Sequence, residues 1–207
     1  MPLAQPKGKK ARALGENLFL KGSRDLSPKA AVLRRPYRPG VHGKARRRAP
    51  SEYGLQLREK QKVKLSYGVE ERQFRRYFEA AKGHGNAGEL LLEKLERRLD
   101  NVVFRLGFAL SRSIARQYVS HGHVFVNGRA VTIPSYEVAV GEEITLKPKV
   151  KETPMFQEQL LTLKKAEPPA WLSLDKETLG GKVIGRPTPD IVQTPFNFQR
   201  IVEHYSR

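Results

Sequence analysis

Residues 1–50 carry fourteen Lys and Arg side chains against two carboxylates, a net +12, with prolines at positions 2, 6, 28, 36, 39 and 50. Such a stretch cannot collapse on its own, because its like charges repel and its prolines interrupt helix and sheet ladders. It is expected to be extended and poorly ordered alone, and to find order against a polyanion. The rest of the chain differs: the net charge is +2 over 51–100, +3 over 101–150 and +1 over 151–207, out of a total of +18. An Arg-rich, acid-poor start also suits an organelle transit peptide, but RRPYRPGVHGKARRR (34–48) is rich in Pro and Gly rather than amphipathic.

Beyond residue 50 a core becomes affordable. With 207 residues and 39% hydrophobic content, the chain suits one domain or two small ones. No apolar run approaches the roughly 18 residues that a spanning helix needs, and no signal-peptide core follows the basic start, which predicts a soluble protein. The absence of cysteine excludes disulfides and thiolate metal sites and makes a cytoplasmic setting the simplest reading.

Helical periodicity begins at Ser51, which is placed to cap SEYGLQLREKQKVKLSYG (51–68); Gly68 ends that helix, and Arg58, Lys60, Lys62 and Lys64 crowd its polar side. A second helix near 69–82 spaces Phe74 with Phe78 and Tyr77 with Ala81 as core pairs. GHGNAG (83–88) breaks the chain and is a candidate domain junction. A third helix is expected to carry Leu91, Leu95, Leu99, Val102 and Leu106 as one stripe, stopped by Gly107. A short fourth, capped by Ser111, turns Ile114, Ala115, Tyr118 and Val119 inward and leaves Arg112, Ser113, Arg116 and Gln117 outside.

The next stretch, SHGHVFVNGRAV (120–131), alternates like a strand, with His123, Phe125 and Asn127 on one face and Val124 and Val126 on the other. Asn127-Gly128 is a two-residue hairpin signal that brings Asn127 and Arg129 to its tip. Further strands are expected near 143–147 and as a pair within 171–191, with Trp171 a core anchor after the loop LKKAEPPAW (163–171). A metal needs three or four converging ligands, and His121 and His123 lack cysteine or acidic partners at suitable spacing, so no metal is expected. They remain either a solvated structural pair or donors to phosphate and 2′-hydroxyl groups beside Arg112 and Arg116.

RLDNVVFRLGFALSRSIARQYVSHGHVFVNGRAVTIPSYEVAVGEEI (98–144) resembles the RNA-binding domain named after small-subunit ribosomal protein four. Its surroundings RRPYRPGVHG (34–43), SEYGLQLREKQK (51–62), ERQFRRYFEAA (71–81) and NFQRIVEHYS (197–206) look like bacterial members of that ribosomal protein family. Residues 1–33 depart furthest from the pattern, and the four cysteines with which some members hold zinc are missing, so no cofactor is carried over. The resemblance implies an α+β fold: a basic extended segment (1–48), a helical domain (49–95) completed by the C-terminus (187–207), and an inserted small α/β RNA-binding domain (96–186).

It also implies a cytoplasmic ribosomal protein that binds 16S rRNA early and folds its 5′ domain. Small-subunit proteins five and three and messenger RNA near the entry channel would be its neighbours, and self-repression of its messenger occurs in some bacteria. Neither a membrane nor a small-molecule substrate is implied. On this reading the RNA-facing residues are Arg34, Arg35, Arg38, His42, Lys44, Arg46, Arg47, Arg48, Arg58, Lys62, Arg112, Ser113, Arg116, Gln117, His121, His123, Asn127 and Arg129. The contact with protein five would use Asn197, Gln199, Ile201, Val202, Glu203 and Tyr205, unless these residues only complete the core of the helical domain.

The contrasting hypothesis is catalysis. RRLDNVVFRLG (97–107) resembles the Arg-Leu-Asp signature of pseudouridine synthases, which would make Asp100 a nucleophile, but the threonine-containing remainder of that signature is missing and no catalytic domain of the usual size fits around it. LGGKVIG (179–185) lacks P-loop spacing and reads as a strand turn.

Overall fold

The computed structural model describes residues 6–206 apart from 47, 84, 154–155, 158–159, 161–162, 164–166 and 193, with backbone alone at 23 and 24. In chain order the helices are α1 (Lys7–Leu14), α2 (Ser23–Leu26), α3 (Ala31–Arg34), α4 (Glu52–Ser66), α5 (Glu71–Ala81), α6 (Ala87–Glu96), α7 (Leu99–Arg105), α8 (Arg112–Ser120), α9 (Pro148–Lys151) and α10 (Phe198–Ser206). The strands are β1 (Val124–Val126), β2 (Arg129–Ala130), β3 (Glu143–Leu146), β4 (Leu172–Asp175) and β5 (Gly180–Val183). The fold is α+β. Two compact units divide it, Met1–Leu91 with Pro195–Arg207, and Leu92–Thr194. The sequence places these breaks at 95/96 and 186/187; by contact they fall at 91/92 and 194/195, the first inside α6 rather than in the glycine turn before it, of which His84 lies outside the described residues.

In the first unit the basic N-terminal stretch is more ordered than its composition suggests. Leu14 at the end of α1 and Leu18 beyond it form one buried cluster with Leu65 of α4, with Leu20 against it. Burial of these leucines supplies the apolar gain that the segment lacks alone. The Arg12 guanidinium donates to the carbonyls of Arg35, Tyr37 and Arg38 at 3.0–3.2 Å and lies 4.9 Å from the Tyr37 ring, so one side chain holds the Pro-rich stretch in place.

The helix after Ser51 forms as expected: Ser51 Oγ accepts from the Gly54 N–H at 3.3 Å, and Gly68 lies just past its end at φ 64°. The N-cap and the glycine explain its limits. On α5, Phe74, Phe78 and Ala81 are buried, whereas Tyr77 is half-buried. Helix α10 returns to pack on α4, with Ile201 fully buried and the Tyr205 ring stacked 4.6 Å from Phe78.

The leucine stripe is buried as the pattern requires, with Leu91, Leu95, Leu99, Val102 and Leu106 all at 1% exposure or less. It is not one helix. Arg98 is extended at φ −63°, ψ 136°, and separates α6 from α7. Residues 134–138 run beside the break, where Leu99 N–H donates to the Tyr136 carbonyl at 2.8 Å, Asp100 N–H to Pro134 at 3.2 Å, and Val138 N–H to Arg97 at 2.9 Å. The helix can therefore stop and restart without orphaning its backbone.

Helix α8 starts where Ser111 Oγ accepts from the Ile114 N–H. The antiparallel sheet has the order β2-β1-β3-β5-β4. At the β1–β2 turn Asn127 has φ 48° and Gly128 φ 76°, a type I′ geometry that the Asn-Gly pair tolerates, and the register Phe125↔Ala130 and Val126↔Arg129 follows. Val124 and Val126 point inward, and Trp171 is 1% exposed, a core anchor.

Gly181 pairs with Ile144 in the sheet, and a Cβ there would overlap the buried Leu106 side chain at the end of α7. The glycine lets helix and strand approach. Gly181→Ala is expected to cost about 1–3 kcal/mol by overpacking, read as a lower denaturation midpoint with unchanged far-ultraviolet circular dichroism.

Candidate nucleic-acid interface

Cations from separate parts of the first unit meet in two places. An open pocket of about 220 Å³ is lined by Arg12 of α1, Asp25 of α2, Lys21 and Lys29 of the loops on either side of it, and Arg34 and Arg35 at the end of α3. One carboxylate faces five cations there. Close by, burial and then the Lys21 charge push the Lys7 ammonium pKa down against the opposing pull of Asp25, and burial and then Lys7 lower that of Lys10. A bound anion would relieve that repulsion. A second cleft, of about 570 Å³, is bounded by α4, the end of α1, and Arg38, Pro39 and Pro50, and has Arg38 and Arg58 among its lining residues.

Of the other cations expected in this surface, His42 and Lys44 sit on the 3₁₀ turn Val41–Lys44, with the Lys44 ammonium 5.3 Å from the Tyr37 ring. Arg46 and Arg48 are exposed, and Arg47 lies outside the described residues. Lys62 is a correction. It is 6% exposed, and its ammonium lies 2.6 Å from Glu59 and 2.5 Å from Glu16, so it is an internal ion-pair partner and does not stand on the polar face. Lys60 and Lys64 are likewise turned onto Glu71, each at 2.9 Å. Periodicity alone hid this, because the carboxylates of Glu16 and Glu71 come from other elements.

In the second unit, Ser113 and Gln117 are exposed on α8, while Arg112 and Arg116 are half-buried and held from beneath. Arg112 Nε donates to Asn101 Oδ1 at 2.8 Å and its guanidinium lies 4.6 Å from the Phe104 ring centre. Arg116 Nη2 meets Asp100 Oδ2 at 3.0 Å. Asp100 is itself 2% exposed and receives both Nε and Nη2 of Arg98 at 3.0 and 2.8 Å. Beside it the buried Glu96 accepts from Asn101 Nδ2 at 2.7 Å and from two nitrogens of Arg105 at 3.0 and 2.7 Å. The arginines are thus pre-oriented side chains on a charged scaffold that sequence reasoning missed, and Asp100 is an internal clamp.

At the hairpin, Asn127 Oδ1 accepts from the Glu143 N–H at 2.9 Å, so this residue ties the tip to β3, and Arg129 is exposed beside it. The His121 and His123 rings lie 5.9 Å apart. Burial, then His121 and Lys147, lower the His123 pKa, so this imidazole stays neutral to a lower pH than a free histidine. Among the described residues, no three His, Asp or Glu side chains gather as a metal site, and no helix is long and apolar enough to cross a membrane.

The C-terminal residues divide by face. Ile201 is fully buried, and Tyr205 stacks on Phe78 while its hydroxyl donates to Glu71 at 2.9 Å; both turn into the unit. Asn197, Gln199 and Glu203 are exposed, with Glu203 accepting from Gln56 at 3.1 Å, and Val202 is half-buried.

A basic helix and hairpin mounted on a small antiparallel sheet in the second unit, together with the basic clefts of the first, define a class of protein built to bind RNA. Residues 97–144 match the family described as "S4 domain", and residues 2–96 match "Ribosomal protein S4/S9 N-terminal domain". Proteins named "Small ribosomal subunit protein uS4" are similar over almost the whole chain. That of Syntrophomonas wolfei is 51% identical over 200 residues, covering 96% of each chain. That of Gloeobacter violaceus is 51% identical over 203 residues, 98% of this chain and 97% of its own. That of Thermus thermophilus is 49% identical over 197 residues, 95% and 94%. The chain belongs to the uS4 family of small ribosomal subunit proteins, which is not a family of enzymes.

Two outcomes follow from the ion pairs. Asp100→Ala deprives Arg98, itself 2% exposed, of its carboxylate and is expected to cost about 3–5 kcal/mol in chemical denaturation. Burial would raise the Glu71 carboxyl, but hydrogen bonds from Lys60, Lys64 and Tyr205 bring it down from 4.5 to about 2. A depressed folded-state value stabilises above the unfolded one, so this contribution is whole above about pH 4.5 and disappears as pH falls towards 2. Because Glu71 is half-exposed, solvent screens the effect. Denaturation midpoints measured across that window should fall less steeply for Glu71→Gln.

Proposed function

We propose that the chain is a primary binder of 16S rRNA that nucleates folding of the 5′ domain during small-subunit assembly in the cytoplasm. The observation that supports it is the convergence of cations from distant sequence positions on the two clefts of the first unit, where RNA phosphates would meet clustered positive charge. In this reading Arg34, Arg35, Arg38, His42, Lys44, Arg46, Arg48 and Arg58 contact RNA from one unit. The exposed face of α8 with Arg112, Ser113, Arg116 and Gln117, and the hairpin with His121, His123, Asn127 and Arg129, contact it from the other. Phosphate contacts of this kind position the protein and carry little sequence information, so specificity comes from the shape of the folded 5′ domain.

The same reading places small-subunit proteins five and three and messenger RNA near the entry channel as neighbours, with repression of its own messenger as a secondary activity of the free protein. Since Ile201 and Tyr205 are occupied within the first unit, an interface with protein five would use Asn197, Gln199 and Glu203. Such an interface, formed in one arrangement of the subunit and absent from another, would bias decoding accuracy by its differential free energy. Ribosomes with Gln199→Ala and Glu203→Ala should assemble and misread more in a stop-codon readthrough assay; normal fidelity would remove the C-terminal face from the account.

Hydroxyl-radical footprinting on naked 16S rRNA tests the main reading, with protections expected within the 5′ domain. Replacing Arg34, Arg35, Arg46 and Arg48 by Gln should weaken binding and flatten the log–log salt dependence by about 0.7–0.9 for each phosphate that is no longer neutralised. Uniform protection, or an unchanged salt slope, would count against it.

A further inference from the structure

The cleft bounded by α4, the end of α1, and Arg38, Pro39 and Pro50 differs in kind from the pocket lined by five cations. Its walls include Leu14 and Leu57 with Pro39 and Pro50, and Arg38 and Arg58 bring two guanidiniums to it, with no carboxylate among its lining residues. From α4 it is lined by Gly54, Leu57, Arg58 and Gln61, whose spacing puts them on one helix face. At about 570 Å³ it falls within the range of roughly 300–1,000 Å³ typical of small organic ligands.

Two features of this face are unexplained by folding. Gly54 sits in the first turn of α4 in ordinary helical geometry, and a Cβ there would lie 3.5 Å from Pro50 Cβ and Ser51 Oγ, normal contact distance. Neither conformation nor packing calls for glycine, which is a poorer helix former than alanine by about 1 kcal/mol. Its effect is to keep the cleft open. Gln61 lines the cleft, and its Oε1 is buried with no donor among the described residues, an acceptor that a ligand N–H would satisfy once the amide turned toward the cleft.

We propose that this cleft seats one unstacked nucleobase of the bound RNA. The aliphatic walls receive the flat ring, Gln61 Oε1 accepts from an N–H on its edge, and Arg38 and Arg58 hold the adjoining phosphates, a division of labour suited to single-stranded or bulged RNA. Charge selects the occupant: a cleft with two guanidiniums, on a chain of net charge +18, favours a polyanionic strand over a second copy of the same chain. The inference rests on the rRNA reading above and adds a contact to a base edge to contacts with the RNA backbone.

The test fills the cleft from α4. Gly54→Leu projects a side chain into it and improves the helix propensity of α4. With a transcript of the 16S rRNA 5′ domain, the wild-type protein should shield one base from dimethyl sulfate, kethoxal or carbodiimide. Gly54→Leu should re-expose that base and weaken binding about tenfold while the remaining hydroxyl-radical protections persist. Gln61→Leu, which removes the acceptor and leaves the cleft open, should re-expose the same base with a drop in affinity of about threefold, and it decides the matter alone if Gly54→Leu does not fold. Wild-type affinity and an unchanged base pattern in these variants would overturn the nucleobase seat and leave the rRNA reading standing. Failure of the wild-type protein to bind the transcript would overturn both.

Discussion

Sharing of scarce carboxylates underlies the whole structure. With 39 Lys and Arg against 21 Asp and Glu, few acids are available to discharge the interior, and several of them serve more than one cation or donor. Glu71 takes Lys60, Lys64 and the Tyr205 hydroxyl; Asp100 takes Arg98 and Arg116; Glu96 takes Arg105 and Asn101. Each of these acids joins elements that apolar packing alone would leave free to slide. Removing one therefore does more than break a pair, because it takes a shared acceptor from several buried or half-buried donors at once.

This arrangement sorts the positive charge into two populations. Lys60, Lys62 and Lys64 are turned inward on α4 and act as structural ties. Arg34, Arg35, Arg46 and Arg48 stay on the surface, and Arg12 stands between, its guanidinium engaged with backbone carbonyls that set the path of residues 35–38. A polyanion thus meets a surface whose backbone is already positioned, which lowers the ordering cost of binding.

The smaller unit applies the same logic to a helix break. Arg98 leaves helical geometry, its backbone bridges to Glu137, and its guanidinium folds back on Asp100, which also receives Arg116 from α8. The break lets residues 134–138 enter beside the restart of the helix. Through Asp100 and Asn101 it also fixes the angle at which α8 presents its arginines. An Arg-Leu-Asp sequence that resembles a catalytic signature here serves as an ion-pair clamp.

Local signals were sufficient for elements whose causes are local. Ser51 and Ser111 cap their helices, Asn127-Gly128 turns the hairpin, and the stripe from Leu91 to Leu106 is buried, because caps, turns and burial of one face depend on a few neighbouring residues. The family was legible too, in motifs spread from residue 34 to residue 206. Tertiary structure decided which charges are free. Lys62 and Arg58 are four residues apart on one helix, yet one is buried against Glu16 and Glu59 and the other lines an open cleft. The order of α1, the break at Arg98 and the inward turn of Tyr205 were likewise hidden, since each depends on groups distant in sequence: Leu65, residues 134–138, Phe78 and Glu71. Helical periodicity reports which residues share a face, but whether that face meets water, a carboxylate or RNA is determined by what the rest of the chain brings against it.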